Sequence, residues 1–232
     1  MIYITGDIHG DIDIHKLSNK ALRKASEESN ITEGDYLIIC GDFGLVWSSR
    51  NSPCFKSEQY WINWLCQKPY TILFVDGNHE NHDMLDAMTV SEWNGGKVHF
   101  ISDNIIHLMR GQVFEIEGKS IFTMGGADSA DKQHRVEGKS WWRRELPDQW
   151  EYDEAVRNLK MHNNNVDFII SHCAPYTIHS RICLLDQHND LIDFFENIDQ
   201  TVNYKRWYNG HYHCDMSIDR HFIVYDRIMP IG

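Results

Sequence analysis

Short runs of apolar, β-prone residues alternate with amphipathic stretches over the first third of the chain. The runs cover residues 2–5, 36–40 and 71–75, and their continuous apolar character is typical of strands that are buried on both faces. Between them, residues 11–29 and 55–68 carry apolar side chains at helical spacing. This alternation of strand and helix predicts a sheet of parallel strands joined by right-handed crossovers.

The pattern changes after residue 97 to a series of short strands. They are predicted at residues 99–101, 105–108, 113–116 and 120–123, and a turn at residues 117–119 joins the last two. A turn of this kind brings its two strands together as an antiparallel hairpin. We therefore expect a second, more antiparallel sheet.

Longer elements return in the second half of the chain. Residues 127–148 are polar and predict a long loop, and loops of this length are usually functional or mobile. Further elements are predicted as helices at 149–163 and 190–198, strands at 166–171 and 204–208, and a closing hairpin at 216–225. No repeat or linker divides the sequence, so we predict a single α/β domain over residues 1–232.

Composition and charge narrow the class of protein. The chain has 232 residues with 42% hydrophobic content, enough for one substantial core. No segment is long and apolar enough to span a bilayer and no charged leader is seen, so we expect a soluble, cytoplasmic protein without a membrane partner. The six cysteines form no C-x-x-C pair, which indicates reduced thiols. A net charge of −12 opposes bulk binding of nucleic acid.

Polar clusters follow five of the β-prone runs directly. Because ligands gather at the carboxyl ends of strands in α/β sheets, we expect these clusters to converge. Their members are Asp7 with His9, Asp42, Asn78 with His79, His172, and His211 with His213. Imidazole, carboxylate and amide oxygen without thiolate suit Mn, Fe or Zn better than a structural zinc or calcium site.

The number of candidate ligands exceeds what one tetrahedral metal site needs. A carboxylate can bridge two ions about 3.5 to 4 Å apart, an arrangement that is used to clamp both oxygens of in-line phosphoryl transfer. Asp42 is the natural bridging candidate. The sequence therefore predicts a centre of two divalent ions, with Mn favoured and Fe, Zn or Ni as alternatives.

The order of the motifs resembles the calcineurin-like metallophosphoesterase superfamily. The matching motifs are Gly-Asp-Ile-His-Gly at 6–10, Gly-Asp at 41–42, Gly-Asn-His-Glu at 77–80, Ser-His at 171–172 and Gly-His-Tyr-His at 210–213. The stretch from Gly125 through Arg135 to Trp142 is similar to a subgroup of bacterial and phage members. The resemblance implies a four-layer αββα sandwich, in which two mixed sheets are flanked by helices.

The resemblance also implies a role for each motif residue. Asp42 would bridge the two ions, and a hydroxide between them would be the nucleophile. His79 would stabilise the transition state or protonate the leaving oxygen. The remaining implied ligands are Asp7, His9 and His213 for the first ion and Asn78, His172 and His211 for the second.

Two departures disfavour a protein phosphatase. The second motif continues as Phe43-Gly44-Leu45-Val46-Trp47 and lacks the family's second aspartate, which orients the motif histidine; Asp76 or Glu80 are candidate replacements. Asp76 itself stands where protein phosphatases have arginine.

Arg135 is a candidate phosphate contact, because a guanidinium can bind phosphate in bidentate fashion. The Trp141-Trp142 pair would either stack on a nucleobase or cover apolar surface.

Three functions remain open at this point. The leading one is metal-dependent hydrolysis of a phosphomonoester or small phosphodiester, with a phosphorylated small molecule, nucleotide or phosphoprotein as substrate. A nuclease or cyclic-nucleotide phosphodiesterase is the alternative within enzymes. The third is a non-catalytic metal-binding scaffold, suggested by the missing orienting aspartate.

Overall fold

Two β-sheets stack face to face in the computed structural model, which describes residues 1–18, 21–22, 31–183 and 188–232. The first sheet has seven strands in the spatial order β13-β1-β2-β3-β6-β5-β4. Their bounds are β1 Ile2–Thr5, β2 Tyr36–Ile39, β3 Thr71–Phe74, β4 Val90–Trp93, β5 Gly96–Ser102, β6 Ile105–Leu108 and β13 Met229–Pro230. Strands β1, β2, β3 and β6 run parallel, as the alternating pattern predicted for the first three.

The second sheet has six strands in the order β11-β12-β10-β9-β8-β7. Their bounds are β7 Gln112–Ile116, β8 Lys119–Met124, β9 Phe168–Ser171, β10 Arg206–Asn209, β11 Met216–Ile218 and β12 His221–Ile223. Its centre is parallel, from β8 through β9 and β10 to β12. The expectation of a more antiparallel second sheet is wrong.

The strands after residue 97 divide between the two sheets. Strands β5 and β6 join the first sheet, where β6 runs parallel to β3, and only the β7–β8 hairpin enters the second. A turn sequence specifies which neighbours pair locally, whereas packing between distant segments decides which sheet a strand joins. The local pattern therefore predicted the strands and not their partners.

Five α-helices have both ends in the described residues, and apolar side chains of these helices pack against the sheets. They are α1 Phe55–Cys66, α2 His82–Asp86, α3 Gln149–Met161, α4 Tyr176–Ile182 and α5 Asp190–Thr201. Of the helix predicted at 11–29, residues 14–17 form a 3-10 turn and residues 21–22 are helical; residues 19–20 and 23–29 lie outside the described residues. The short elements α2, α4, β4 and β13 were not predicted.

The apolar core is divided into layers by the sheets. Ile4, Leu73, Phe114, Phe168 and Tyr208 pack together between the two sheets. This central layer, with helices outside each sheet, confirms two mixed sheets flanked by helices. None of the helices in the described part of the chain is long and apolar enough to cross a membrane.

The predicted loop at 127–148 contains two short 3-10 turns, Lys132–His134 and Arg143–Glu145. It ends at a capping box in which Asp148 accepts from the backbone of Glu151 and the Glu151 side chain accepts from the backbone of Asp148. Reciprocal bonds of this kind satisfy amides that an α-helix leaves unpaired at its start. The loop is therefore fixed firmly at the beginning of α3.

Candidate metal centre

The site lies where strands of both sheets end. Strands β1, β2 and β3 of the first sheet and β9 and β10 of the second lead directly into the predicted ligand clusters. The parallel pairing of β1 with β2 and β3, and of β9 with β10, puts their carboxyl ends at common edges. The two sheets together therefore gather side chains from five separated segments.

Asp42 lies at the centre of the site. One carboxylate oxygen is 3.2 Å from Nε2 of His9, and the other is 3.3 Å from Nε2 of His172. The second oxygen also accepts a 2.7 Å hydrogen bond from the backbone N–H of His79. The two oxygens of this carboxylate therefore face two different imidazoles.

Asp7 forms the second acidic point of the site. Its carboxylate lies 3.2 Å from Nε2 of His213 and accepts the backbone N–H of His211 at 3.0 Å. Nδ1 of His172 is 3.9 Å from the same carboxylate. Ligand atoms within 4.8 Å of one another form three groups: Asp7, His9 and His213; His9, Asp42 and His79; and Asp7, Asp42 and His172.

Asn78 and His211 complete the set of predicted ligands. Oδ1 of Asn78 is 3.2 Å from Nε2 of His172. The ring of His211 meets that of His172 edge to face, with 5.0 Å between centroids. All seven residues predicted as ligands are thus brought to one place.

Four of these residues have a backbone conformation that L-amino acids rarely adopt. The φ angles of His9, Asp42, His211 and His213 are 48°, 49°, 71° and 48°. A non-glycine residue in the left-handed region costs of order 1 to 3 kcal/mol and persists where surrounding structure enforces it. Such strain concentrates at functional sites, and here it falls on the side chains that converge.

Glycine precedes several of the predicted ligands because the loops approach one another closely. A methyl group on Gly41 would overlap the His172 ring, one on Gly77 would overlap the Asp42 carboxylate, and one on Gly210 would overlap the Asp7 carboxylate. Each of these glycines therefore makes room for a ligand that follows another strand, and for Gly41 and Gly210 that strand belongs to the other sheet. The Gly-Asp, Gly-Asn and Gly-His pairs in the sequence have a packing reason.

The electrostatics of the site favour cations. Burial by itself would raise the pKa of Asp42, but His172 and His9 hold it well below its usual range. Burial would likewise lower the pKa of His172, yet the Asp42 carboxylate outweighs this and raises the pKa to about 10. The buried Asp42 carboxylate thus stabilises positive charge on the groups beside it.

Hydrogen bonds fix the orientation of two of the imidazoles. Nδ1 of His172 donates to the backbone oxygen of Cys40 at 2.7 Å, and Nδ1 of His9 lies 2.9 Å from the Asp13 carboxylate. Both contacts leave Nε2 directed at Asp42. Metal-binding histidines generally use one nitrogen in this way and present the other to the ion. The donor set therefore fits divalent metal ions.

The motif histidine, His79, does not meet either replacement for the missing aspartate. Glu80 is fully buried and accepts the backbone N–H groups of Phe43 and Gly44, so it supports the loop after β2. Asp76 is bound to Arg110. Instead, a guanidinium nitrogen of Arg135 lies 3.4 Å from Nδ1 of His79.

Arg135 is itself anchored by its own loop. Its Nε is 2.8 Å from the Asp131 carboxylate, and its Nη1 donates to the backbone oxygen of Ser140 at 3.3 Å. The side chain is 19% exposed, so it reaches the site while remaining accessible. The arginine predicted as a phosphate contact therefore lies at the edge of the candidate metal centre.

The sequence of the chain matches the model of a known protein family. The model for calcineurin-like phosphoesterases matches residues 1–215. The chain belongs to the calcineurin-like phosphoesterase family. This is a family of hydrolases that act on phosphoester bonds with divalent metal ions.

Individual relatives are more distant. Lariat debranching enzyme from Schizosaccharomyces pombe is 27% identical over 183 residues, which cover 77% of this chain and 34% of that protein. The chain thus spans about a third of that relative's length. Sulfate thiohydrolase SoxB from Thermus thermophilus is similar in structure with a TM-score of 0.44 and 11% identity, over 97% of this chain and 51% of that one.

Other aromatic and basic residues of the loop at 127–148 have different roles in this calcineurin-like phosphoesterase. Trp142 is 4% exposed and packs edge to face on Trp47, so it covers apolar surface and does not stack on a base. Arg143 pairs with Glu137, and Arg144 binds Glu151. Of the loop's three arginines, only Arg135 contacts a predicted site residue.

Sequence reasoning missed several residues that hold the phosphoesterase site in shape. Lys16 donates to the backbone oxygens of Gly6 and Asp7 and thereby fixes the loop after β1. Ser129 accepts from Nδ2 of Asn78 at 3.2 Å, and its own N–H donates to Glu145 at 3.1 Å. No sequence motif marks these contacts, and the Asn78–Ser129 contact joins residues 51 positions apart in the chain.

We expect Ser129→Ala to weaken metal binding by about 10- to 100-fold, the usual effect of losing a residue that orients a ligand. The hydroxyl accepts from the Asn78 amide nitrogen, and this directs the amide oxygen toward His172. Titration with Mn²⁺ followed by electron paramagnetic resonance measures the affinity directly. Ser129→Thr retains the acceptor and should recover most of it.

The matched control is Ser180→Ala, which removes an exposed hydroxyl that donates to Thr177. It should leave Mn²⁺ affinity unchanged. Equal affinity in Ser129→Ala and the wild type would show that the Asn78 amide needs no support from this loop.

Proposed function

We propose that this protein hydrolyses small phosphate esters at a centre of two divalent metal ions, with Asp42 as the bridging ligand. The observation that carries the proposal is the position of the Asp42 carboxylate, whose two oxygens face His9 and His172 separately. Asp7, His9 and His213 would hold one ion, and Asn78, His172 and His211 the other. Mn²⁺ is the favoured metal, with Fe, Zn or Ni as alternatives.

Bound divalent ions supply Lewis acidity toward phosphate oxygens and lower the pKa of water to roughly 7 to 9. The chain's own residues position the substrate. His79 lies beside Asp42 and 5.3 Å from the ring of His9, measured between centroids. From there its imidazole is placed to donate a hydrogen bond to the leaving oxygen.

In this proposal the Arg135 guanidinium donates hydrogen bonds to the phosphate of the substrate. A charged hydrogen bond contributes about 1.5 to 3 kcal/mol, so Arg135→Ala should lower kcat/KM by roughly 10- to 100-fold. Arg135→Lys keeps the charge and loses the fork of donors, so it should restore activity only in part. Steady-state kinetics on bis-p-nitrophenyl phosphate with Mn²⁺ gives the values.

Arg143→Ala is the control, because Arg143 lies in the same loop with a side chain that is 80% exposed. It should match the wild type. If Arg135→Ala also matches the wild type, the guanidinium does not contact the substrate.

The proposed activity is tested by turnover of p-nitrophenyl phosphate and its bis ester by the Mn²⁺-loaded protein. We expect turnover well above that of free Mn²⁺ at the same concentration, and its loss on chelation. The ratio of the two rates gives the preference between monoester and diester. A protein that binds Mn²⁺ and cleaves neither ester, nor any nucleotide of a panel, would instead be a metal-binding scaffold.

A nuclease or cyclic-nucleotide phosphodiesterase is the second candidate. The specific observation in its favour is the similarity to a protein named lariat debranching enzyme, at 27% identity over 77% of this chain. The net charge of −12 opposes a long polyanionic strand as substrate. Incubation with labelled DNA and RNA distinguishes the two, because strands that stay intact while small esters are hydrolysed exclude a nuclease.

We also propose that residues 1–232 form one domain. Strand β13 near the end of the chain pairs with β1 at its beginning, through Tyr3 with Pro230 and Ile4 with Met229.

The six cysteines carry free thiols, which suits a reducing compartment such as the cytoplasm.

A further inference from the structure

A cleft of about 400 Å³ opens beside the candidate metal centre. It lies between the loop after β1, the loop after β2 and the start of α1. His9 forms one end, which connects the cleft to the metal ligands, and Leu45, Trp47 and Trp61 provide much of its apolar lining. A group attached to a phosphate at the metal centre can therefore extend into the cleft.

Two glycines of the cleft lining lie in contact with each other, one in each loop. Gly10 and Gly44 lie against each other with φ angles of +63° and +67°, and a methyl group on either would collide with the backbone of the other. The N–H of Gly10 donates to the oxygen of Phe43 at 3.0 Å, so the two loops are joined. The two glycines therefore let the loops after β1 and β2 lie in contact at one side of the cleft.

Trp47 forms a wall that is fixed before any ligand binds. Its N–H donates to Glu58 at 3.2 Å, and its backbone oxygen accepts from the Asn81 side chain at 2.8 Å. Its ring packs edge to face on the buried Trp142, with 5.2 Å between centroids. An aromatic face held in this way loses little conformational entropy when a second ring stacks on it.

Trp61 provides a second aromatic side chain in the lining. It projects from α1, and its ring meets that of His15 edge to face at 5.3 Å. The cleft is thus lined by two tryptophans on separate segments, one in the loop after β2 and one on a helix.

The charges around the cleft select against a second anion. The carboxylate oxygens of Glu58 accept the N–H groups of Trp47 and Ser48, and Asp11 lies exposed in the lining. No lysine or arginine lines the cleft among the residues that the structure describes. A second phosphate would meet acidic neighbours here, whereas an uncharged ring would not.

We propose that this cleft binds the base of a nucleotide whose phosphate lies at the metal centre. The inference rests on the proposed function and narrows its substrate class to nucleotide esters. In this proposal the base stacks on Trp47, and not on the Trp141-Trp142 pair that the sequence suggested. Stacking of a base on an aromatic side chain is sequence-tolerant, so the cleft takes purines and pyrimidines alike.

The test compares adenosine 5′-monophosphate with ribose 5-phosphate, which carries the same phosphate and sugar without the base. Binding to the Mn²⁺-loaded protein is measured by isothermal titration calorimetry. We expect the adenine ring to strengthen binding roughly tenfold or more, in line with stacking contributions at single-stranded nucleic-acid sites. Trp47→Ala should remove this advantage, and Trp47→Phe should retain most of it.

Trp150→Ala is the matched control, because Trp150 lies on α3 with 64% of its surface exposed. This variant should bind adenosine 5′-monophosphate more tightly than ribose 5-phosphate by the same factor as the wild type. Mn²⁺ stoichiometry measured on each variant verifies that the fold is intact, and Trp61→Ala serves as a second cleft variant if Trp47→Ala loses Mn²⁺.

Equal affinities for the two ligands in the wild type, or an adenine advantage that survives both cleft variants, would overturn the proposal. The outcome is separate from that of the proposed activity, since the two ligands carry the same phosphate ester and the adenine advantage does not depend on whether that ester is cleaved. A protein that prefers adenosine 5′-monophosphate but cleaves no ester would retain the cleft assignment and lose the hydrolase.

Discussion

We expect Asp42→Asn to lower kcat/KM on bis-p-nitrophenyl phosphate by more than about 100-fold and to reduce the bound Mn²⁺ below two ions per chain. Loss of a group that merely orients a metal ligand already costs 10- to 100-fold, and Asp42 is the proposed bridge itself. Asparagine has the same shape but only one oxygen and no charge, and its amide N–H groups would face His9 or His172. Steady-state kinetics and elemental analysis measure the two effects.

Asp219→Asn is the appropriate control for this substitution. Asp219 has a side chain that is 78% exposed and a φ of 53°, which asparagine also tolerates. It should behave as the wild type does. Full activity with two bound ions in Asp42→Asn would remove Asp42 from the bridging position.

We expect Arg110→Met to lower the free energy of unfolding by about 3 to 5 kcal/mol, the usual effect of removing one partner of a buried ion pair. Arg110 donates to Asp76 from Nε at 2.8 Å and from Nη2 at 2.5 Å, and both side chains are 3% exposed. Burial by itself would raise the pKa of Asp76, but Arg110 holds it well below the usual range. Urea denaturation followed by circular dichroism gives the free energy.

The double variant Asp76→Asn with Arg110→Met removes the buried charge and should recover part of the lost stability. Arg143→Met replaces an arginine that is 80% exposed and should change stability little. If Arg110→Met is no less stable than Arg143→Met, the Asp76–Arg110 pair does not support the loop that carries Asn78 and His79.

The sequence predicted the parts of the site that depend on local pattern. Strands β1, β2 and β3 begin where the apolar runs begin and end within one residue of the predicted positions. Polar residues that follow such strands meet because parallel strands share an edge. For that reason the convergence of Asp7, Asp42 and Asn78 could be predicted without knowledge of the structure.

What the sequence did not predict depends on contacts between distant segments. Arg110 follows Asp76 by 34 residues, and Ser129 follows Asn78 by 51. The pairing of β6 with β3 has the same origin. The sequence left open whether the Trp141-Trp142 pair stacks on a base or covers apolar surface, because the burial of Trp142 against Trp47 depends on the fold.

The central claim is that the seven predicted ligands hold two metal ions and that both ions bind Asp42. Crystals grown with Mn²⁺ and phosphate, and measured at the manganese absorption edge, test it most directly. We expect two anomalous peaks about 3.5 to 4 Å apart, the spacing of two-metal sites, with one oxygen of Asp42 on each ion or one oxygen between them. A single peak, or peaks that lie away from Asp42, would contradict the account.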